Sequence, residues 1–218
     1  VCDLFDNINN LYYYIFSTIK SEYGGNVIKN SQPLPPQVLW GNQLDNLRRC
    51  GYPLPAYDEV AFEIPFSEEL KLKLGPALLV DYETPIAKQC QLLGIENYLN
   101  LTHHKDWGMK PRSRWGWIYE VDDGRKVLGR SPNNVIEEFN RNKRRGLMTV
   151  EGLALYRENP DLLLNHFVDL IGSRYFRTED VCVPHLHLNG NELNRPSLVY
   201  GPLGADNPKW GSASCVRE

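Results

Sequence analysis

Apolar positions change their period along this chain, and the changes mark its predicted elements. From Asp3 to about Tyr23 they recur at Leu4, Ile8, Leu11, Tyr12, Ile15 and Ile19, the spacing of an amphipathic helix, and Gly24-Gly25 ends it. That stripe either packs on the rest of the fold or presents Tyr12, Tyr13 and Tyr14 to a partner. Ser31-Gln32-Pro33-Leu34-Pro35-Pro36 is a proline-rich connector with a PxxP pattern, suited to a stiff spacer or a docking segment. A helix is predicted from there to about Cys50, stopped by Gly51, before Tyr52-Pro53-Leu54-Pro55 breaks regular structure again. The two breaks set off residues 1–53, an N-terminal helical segment, from a main domain over 54–218.

In the main domain, Pro76 to Val80 reads as a short buried strand. Ser67-Glu68-Glu69 resembles a helix start. Thr84-Pro85 opens a helix with apolar face Ile86, Cys90 and Leu93 and stop Gly94. Trp115 to Val121 is strand-like, and Asp123-Gly124 signals a hairpin turn before Arg125-Lys126-Val127-Leu128. Helices are predicted from Ser131-Pro132 to about Arg141, from Thr149 through Arg157, and from Asn159-Pro160-Asp161 to Ile171. A strand over Val181–Leu188 then turns at Asn189-Gly190 and returns near Ser197–Tyr200. The expected fold is α+β, with antiparallel β-hairpins packed with several short helices.

Composition narrows the class. A chain of 218 residues with 42% hydrophobic and 23% charged positions builds its own core without staples. Five scattered cysteines, odd in number and without a CxxC pair, point to reduced thiols and a cytoplasmic protein. No apolar run approaches the roughly 20 residues that span a bilayer. A net charge of −3 supplies no global field for nucleic acid or an anionic membrane. Because the chain begins at Val1, a removed targeting segment stays open.

Three groupings carry candidate chemistry. His185 and His187 project from one face of their strand, and two imidazoles with a third ligand can hold zinc or another divalent metal. Cys182 has the opposite parity, so it joins them only through a bulge near Pro184; His103, His104 or Asp106 is the other source of a third ligand. His103, His104 and Asp106 also make a candidate general-base pair, with Asp106 orienting an imidazole. Arg141, Lys143, Arg144 and Arg145 form the basic run, either a nucleic-acid patch with Trp115, Trp117 and Tyr119 as stacking platforms or a cationic helix end closed by Gly146. No phosphate-binding glycine loop, GxSxG or HExxH motif is present.

The residues Arg144-Arg145-Gly146-Leu147, Thr149-Val150-Glu151-Gly152-Leu153-Ala154-Leu155, Gly172-Ser173-Arg174, Val183-Pro184 and the tail Trp210-Gly211-Ser212-Ala213-Ser214-Cys215 resemble an uncharacterised bacterial domain-of-unknown-function family. The resemblance covers about residues 115–215. It departs at His187, where that pattern carries an apolar or aromatic residue, and it implies no activity. At Glu151-Gly152 the sequence predicts close packing against the glycine, and the tail reads as locked onto the core. The functional expectation is a binding or accessory protein acting on a protein partner or small ligand. The alternatives are a metal-dependent hydrolase using His185 and His187, and an RNA-binding module using residues 141–145.

Overall fold

The computed structural model describes residues 36–54, 77–107, 113–177, 180–190 and 194–217. Two units divide the chain, Val1–Pro33 and Leu34–Glu218, and every described residue belongs to the second. The helix expected over Asp3–Tyr23, most of the proline-rich connector and the helix start at Ser67 lie outside the described residues.

The helices are α1 (Pro36–Arg49), α2 (Ile86–Leu93), α3 (Pro132–Arg141), α4 (Thr149–Glu158) and α5 (Leu162–Asn165). The strands are β1 (Leu78–Asp81), β2 (Glu96–Asn97), β3 (His104–Asp106), β4 (Trp115–Ile118), β5 (Arg144–Gly146) and β6 (Phe167–Asp169). They continue with β7 (Ser173–Arg177), β8 (Asp180–Leu188), β9 (Pro196–Pro202), β10 (Trp210–Ser212) and β11 (Ser214–Val216). The fold is α+β, and its stops are the expected ones at Gly51 and Gly94, with φ of 76° and 67°.

Helix α4 is the centre of the packing. Eight of its ten residues are buried, and a helix without a polar face has to be covered on every side. One side receives Tyr175, Cys182, Leu186 and Leu198 from β7, β8 and β9; another receives Leu78 and Val80 of β1 and Cys90 of α2. Gly152 permits the closest approach. A Cβ there would lie 2.2 Å from Leu170 Cδ2, so the expected tight packing at this glycine is present.

Strands β1 and β4 pair antiparallel, Leu78 opposite Ile118 and Asp81 opposite Trp115. Their outer face, with Leu79, Trp115 and Trp117, packs on Leu47 of α1 and on Tyr52. Gln43 of α1 completes the free edge of β1: its Nε2 donates to Ala77 O at 2.8 Å, and its Oε1 accepts from Leu79 N at 2.7 Å. Gln43→Leu leaves both backbone groups buried and unpaired, so a loss of about 1–3 kcal/mol is expected in urea denaturation. An unchanged midpoint would mean that water reaches that edge.

The large sheet is organised by β8. Strand β9 runs along one side of it without a break in register, from Cys182 opposite Pro202 to Leu188 opposite Pro196. The other side is shared, β7 pairing near Cys182 and β6 near His185. Strand β10 joins β6 in parallel, β3 joins β7, and β2 joins β9. Strand β11 pairs with β5, and Ala213 and Cys215 are fully buried, so the C-terminal run is held on the core as expected.

Three expectations are corrected. Asp123-Gly124 does not close a hairpin: the carboxylates of Asp122 and Asp123 accept from Gly124 N and Arg125 N, and a 3-10 turn, Arg125–Val127, follows. The partner of β4 is the distant β1. The helix expected to reach Ile171 ends at Asn165, because Phe167–Asp169 fills the slot between β8 and β10 as a strand. Thr84 does not cap α2; its hydroxyl donates to Asp81 Oδ2 at 2.7 Å.

Candidate functional site

Strand alternation divides β8 into two faces. Cys182 and Leu186 enter the core around α4, and Val183 packs with Val135, Phe139 and Ile171 on the opposite face, beneath α3. His185 and His187 share the face of Val183, their ring centroids 5.4 Å apart. Cross-strand register then sets two rows on that face. In the first, Ser212 of β10 lies opposite Asp169 of β6, which lies opposite His185, which lies opposite Val199 of β9. In the second, Trp210 lies opposite Phe167, and His187 opposite Ser197.

The rings form a continuous wall. Centroids are 5.2 Å apart for Phe167 and His187, and 4.7 Å for His185 and Trp210. To reach His185 from β10, the indole crosses the intervening strand β6. Its far edge stands 3.2 Å from where a Gly201 Cβ would be, and His185 Cε1 stands at 3.1 Å, so the bare backbone of Gly201 makes room for both rings.

Under this wall the polar groups are left without partners. Asp169 and Ser212 are 0% exposed and His185 is 3% exposed. Asp169 Oδ1 and Oδ2, His185 Nδ1, Ser212 Oγ and Trp210 Nε1 are buried without a hydrogen-bond partner among the described residues. Each such atom costs about 1–3 kcal/mol, so a cluster of them marks a place where something beyond routine packing is being satisfied.

Charge sharpens the contrast. Three carboxylates are buried among the described residues: Asp81, Glu151 and Asp169. Asp81 pairs with Arg114, and Glu151 with Arg145. Burial pushes the Asp81 carboxyl up, but bonds from Arg114, Thr84 and Glu83 more than cancel this and hold it below the ordinary range. Asp169 has no cation beside it among the described residues, and burial pushes its carboxyl up to about 7. Burial, then the neighbouring His187, pushes His185 down to about 3, and burial also lowers His187. A buried acid and a buried imidazole stand side by side, both favoured in their neutral forms.

The other candidate residues are placed as follows. Cys182 points away from His185 and His187, and the unbroken register contains no bulge to bring it round. His104 and Asp106 pair with Tyr175 and Ser173, on the face opposite His185. Among the described residues no three His, Cys, Asp or Glu side chains are placed to hold a metal ion. His104 and Asp106 do meet: His104 Nε2 is 3.5 Å from Asp106 Oδ1 and 2.8 Å from Thr149 Oγ1. Ser173 Oγ donates to Asp106 at 2.6 Å and accepts from Thr149 N at 2.9 Å, so this network secures the first turn of α4. His103 is exposed beside Tyr175, with ring centroids 6.0 Å apart.

The basic run divides. Arg141 and Lys143 are exposed, whereas Arg144 donates to Glu120 O and to Ser214, and Arg145 forks onto Glu151. Trp115 and Trp117 are buried at 1% and 7% exposure, which removes them as stacking platforms. A separate cleft of about 830 Å³ lies between α1, the Val121–Lys126 segment and the end of α4. Its carboxylates are already paired: Asp45 with Arg48, Asp122 with Lys126, Asp123 with Arg125, and Glu158 with Arg157.

Phe167 and Asp169 carry no role in the sequence reading, and Trp210 and Ser212 enter it only as part of the tail held on the core. For Asp169 a signal existed, a lone acid inside the apolar run Phe167-Val168-Asp169-Leu170-Ile171. Comparison with known proteins brings no match to a protein-family model, a curated protein or a solved structure. Among the described residues no helix is long and apolar enough to cross a membrane.

Proposed function

We propose that this chain is a soluble, cytoplasmic small-ligand-binding protein whose site is the face of β6, β8 and β10 that carries Asp169, His185 and Ser212. One observation carries the reading: unpartnered buried polar atoms converge on one patch beneath a wall of rings. Binding sites combine apolar and aromatic walls with a few convergent polar groups, and this patch has that composition. Access is past Phe167, His187 and Trp210, which are only partly buried while the row beneath them is sealed. The resemblance over residues 115–215 adds a proposed bacterial origin and leaves the ligand unspecified. The metal-hydrolase alternative lacks a third ligand among the described residues, and the RNA alternative keeps only Arg141 and Lys143 free of internal bonds to carboxylate or backbone among its four cations.

A screen of small polar compounds by proton–nitrogen correlation NMR tests this. Binders are expected to shift the Trp210 indole N–H and the amides of Phe167 and His187. Binders that perturb only the Asp45–Glu158 cleft would overturn the assignment.

A further inference from the structure

We propose that the ligand taken by this site is a small organic cation rich in N–H donors, a guanidinium or amidinium, paired with Asp169 at the wall of rings that includes Trp210. The inference rests on the small-ligand reading above and adds the chemical class. Asp169 offers two carboxylate oxygens, and neither is bonded among the described residues. Ser212 Oγ and the unprotonated form of His185 Nδ1 add two more acceptors on either side of it in the same row. Trp210 Nε1 donates only, and the Ser212 hydroxyl can donate as well as accept. With Asp169 ionised, acceptors outnumber donors in this row, and a ligand weighted toward donors completes it.

Among the described residues the other two buried carboxylates each hold an internal arginine, Arg114 for Asp81 and Arg145 for Glu151, and Asp169 has no such partner. An anion would meet an uncompensated acid at the bottom of the site. A neutral ligand would leave Asp169 without a counter-charge. A planar cation can fork onto both oxygens and present its face to the rings above. Those rings are suited to it: Trp210 and Phe167 attract cations through their faces. His185 and His187 are both depressed in pKa by burial, so neither brings a competing positive charge.

The polar and titratable groups on this face of the sheet beside Asp169 come from its two pairing strands. Strand β8 supplies His185 and His187, and β10 supplies Ser212 and Trp210. Helix α3 turns Pro132, Val135 and Phe139 inward and leaves Glu137 and Arg141 exposed. The 3-10 turn buries Val127 and exposes Arg125 and Lys126. Cation binding therefore draws a proton off Asp169 wherever the free protein holds one.

The test is titration calorimetry with methylguanidinium, with a short blocked peptide containing one arginine, and with acetamide and acetate as neutral and anionic probes. Methylguanidinium is expected to bind with release of a proton below pH 7 and to weaken about twenty-fold between pH 7.5 and pH 5.5, as the ionised fraction of Asp169 falls. Asp169→Asn is expected to abolish binding and Ser212→Ala to weaken it. Binding of the peptide as tightly as methylguanidinium would identify an arginine side chain as the source, and free methylguanidinium alone a small metabolite. If acetamide or acetate binds instead, shifting the Trp210 indole N–H without proton release, the cation inference falls and the small-ligand reading stands. If no probe of any charge binds either the native protein or Trp210→Ala, both fall.

Discussion

Asp169→Asn is expected to stabilise the protein at pH 8 by about 2–4 kcal/mol and to change little at pH 4. An aspartate in an unfolded chain loses its proton near pH 4, whereas burial holds the folded carboxyl at about 7. Between those values the folded state binds the extra proton. Stability therefore falls as pH rises through this window, and the full cost remains above it. Asparagine fills the same space without the charge. His185 acts with the opposite sign. Its folded pKa is depressed to about 3, so the unfolded chain binds the extra proton and stability falls as pH drops below about 6.5. The two slopes oppose each other between about pH 4 and pH 6.5, where the native protein should be nearly flat. Removing Asp169 exposes the histidine slope in that window. Urea titrations at pH 4, 5, 6 and 8 on both proteins read all of this. A variant less stable at pH 8 would show that the carboxylate has a partner and is ionised in the fold.

A side chain whose removal strengthens the fold is not there for the fold. Sequences that specify one structure satisfy local rules nearly everywhere, and exceptions concentrate at functional sites. The Asp169 patch breaks two rules at once, an unpaired buried acid and several unbonded polar atoms, while the Glu151 and Asp81 sites break neither. This contrast sets the β6–β8–β10 face apart from the cleft beside α1, whose carboxylates already have partners.

Part of that face was legible in the sequence. Alternation in Val181–Leu188 and the Asn189-Gly190 signal predicted β8, its return strand and the shared side of His185 and His187, because these are local properties of a strand. Asp169 was hidden by its setting. The run Leu162-Leu163-Leu164-Asn165-His166-Phe167-Val168-Asp169 begins as a helix, and only the strands on either side make Phe167–Asp169 a strand. Ser212 was legible as part of a tightly held tail, but its neighbour Asp169 is 43 positions away, and parallel pairing over such a gap leaves no local trace. The Asp123-Gly124 signal failed for a related reason. The turn forms, but β4 finds its partner in β1, and Gly124 is held against Gly211, whose carbonyl oxygen would stand 2.5 Å from a Cβ.

The largest loss of stability is expected from Glu151→Ala, about 3–5 kcal/mol. The carboxylate of Glu151 is 0% exposed and accepts four hydrogen bonds: two from Arg145 at 2.7 Å, one from Tyr82 OH at 2.9 Å and one from Met148 N at 2.7 Å. Alanine strands three donor groups, one of them a largely buried guanidinium, and removes a negative charge from the first turn of the central helix. Against a typical total of about 5–15 kcal/mol, such a loss leaves the variant marginal at 37 °C. Glu151→Ala combined with Arg145→Ala should cost less than the sum of the two single changes, because the second removes the charge that the first left unpaired. The same cycle separates the structural and nucleic-acid roles of the basic run. An Arg145 held by Glu151 shifts the urea midpoint when replaced, and leaves any salt-dependent affinity for RNA where it was. An Arg145 that serves a nucleic acid would do the reverse, and the guanidinium would have to leave a buried carboxylate with no other cation to bind.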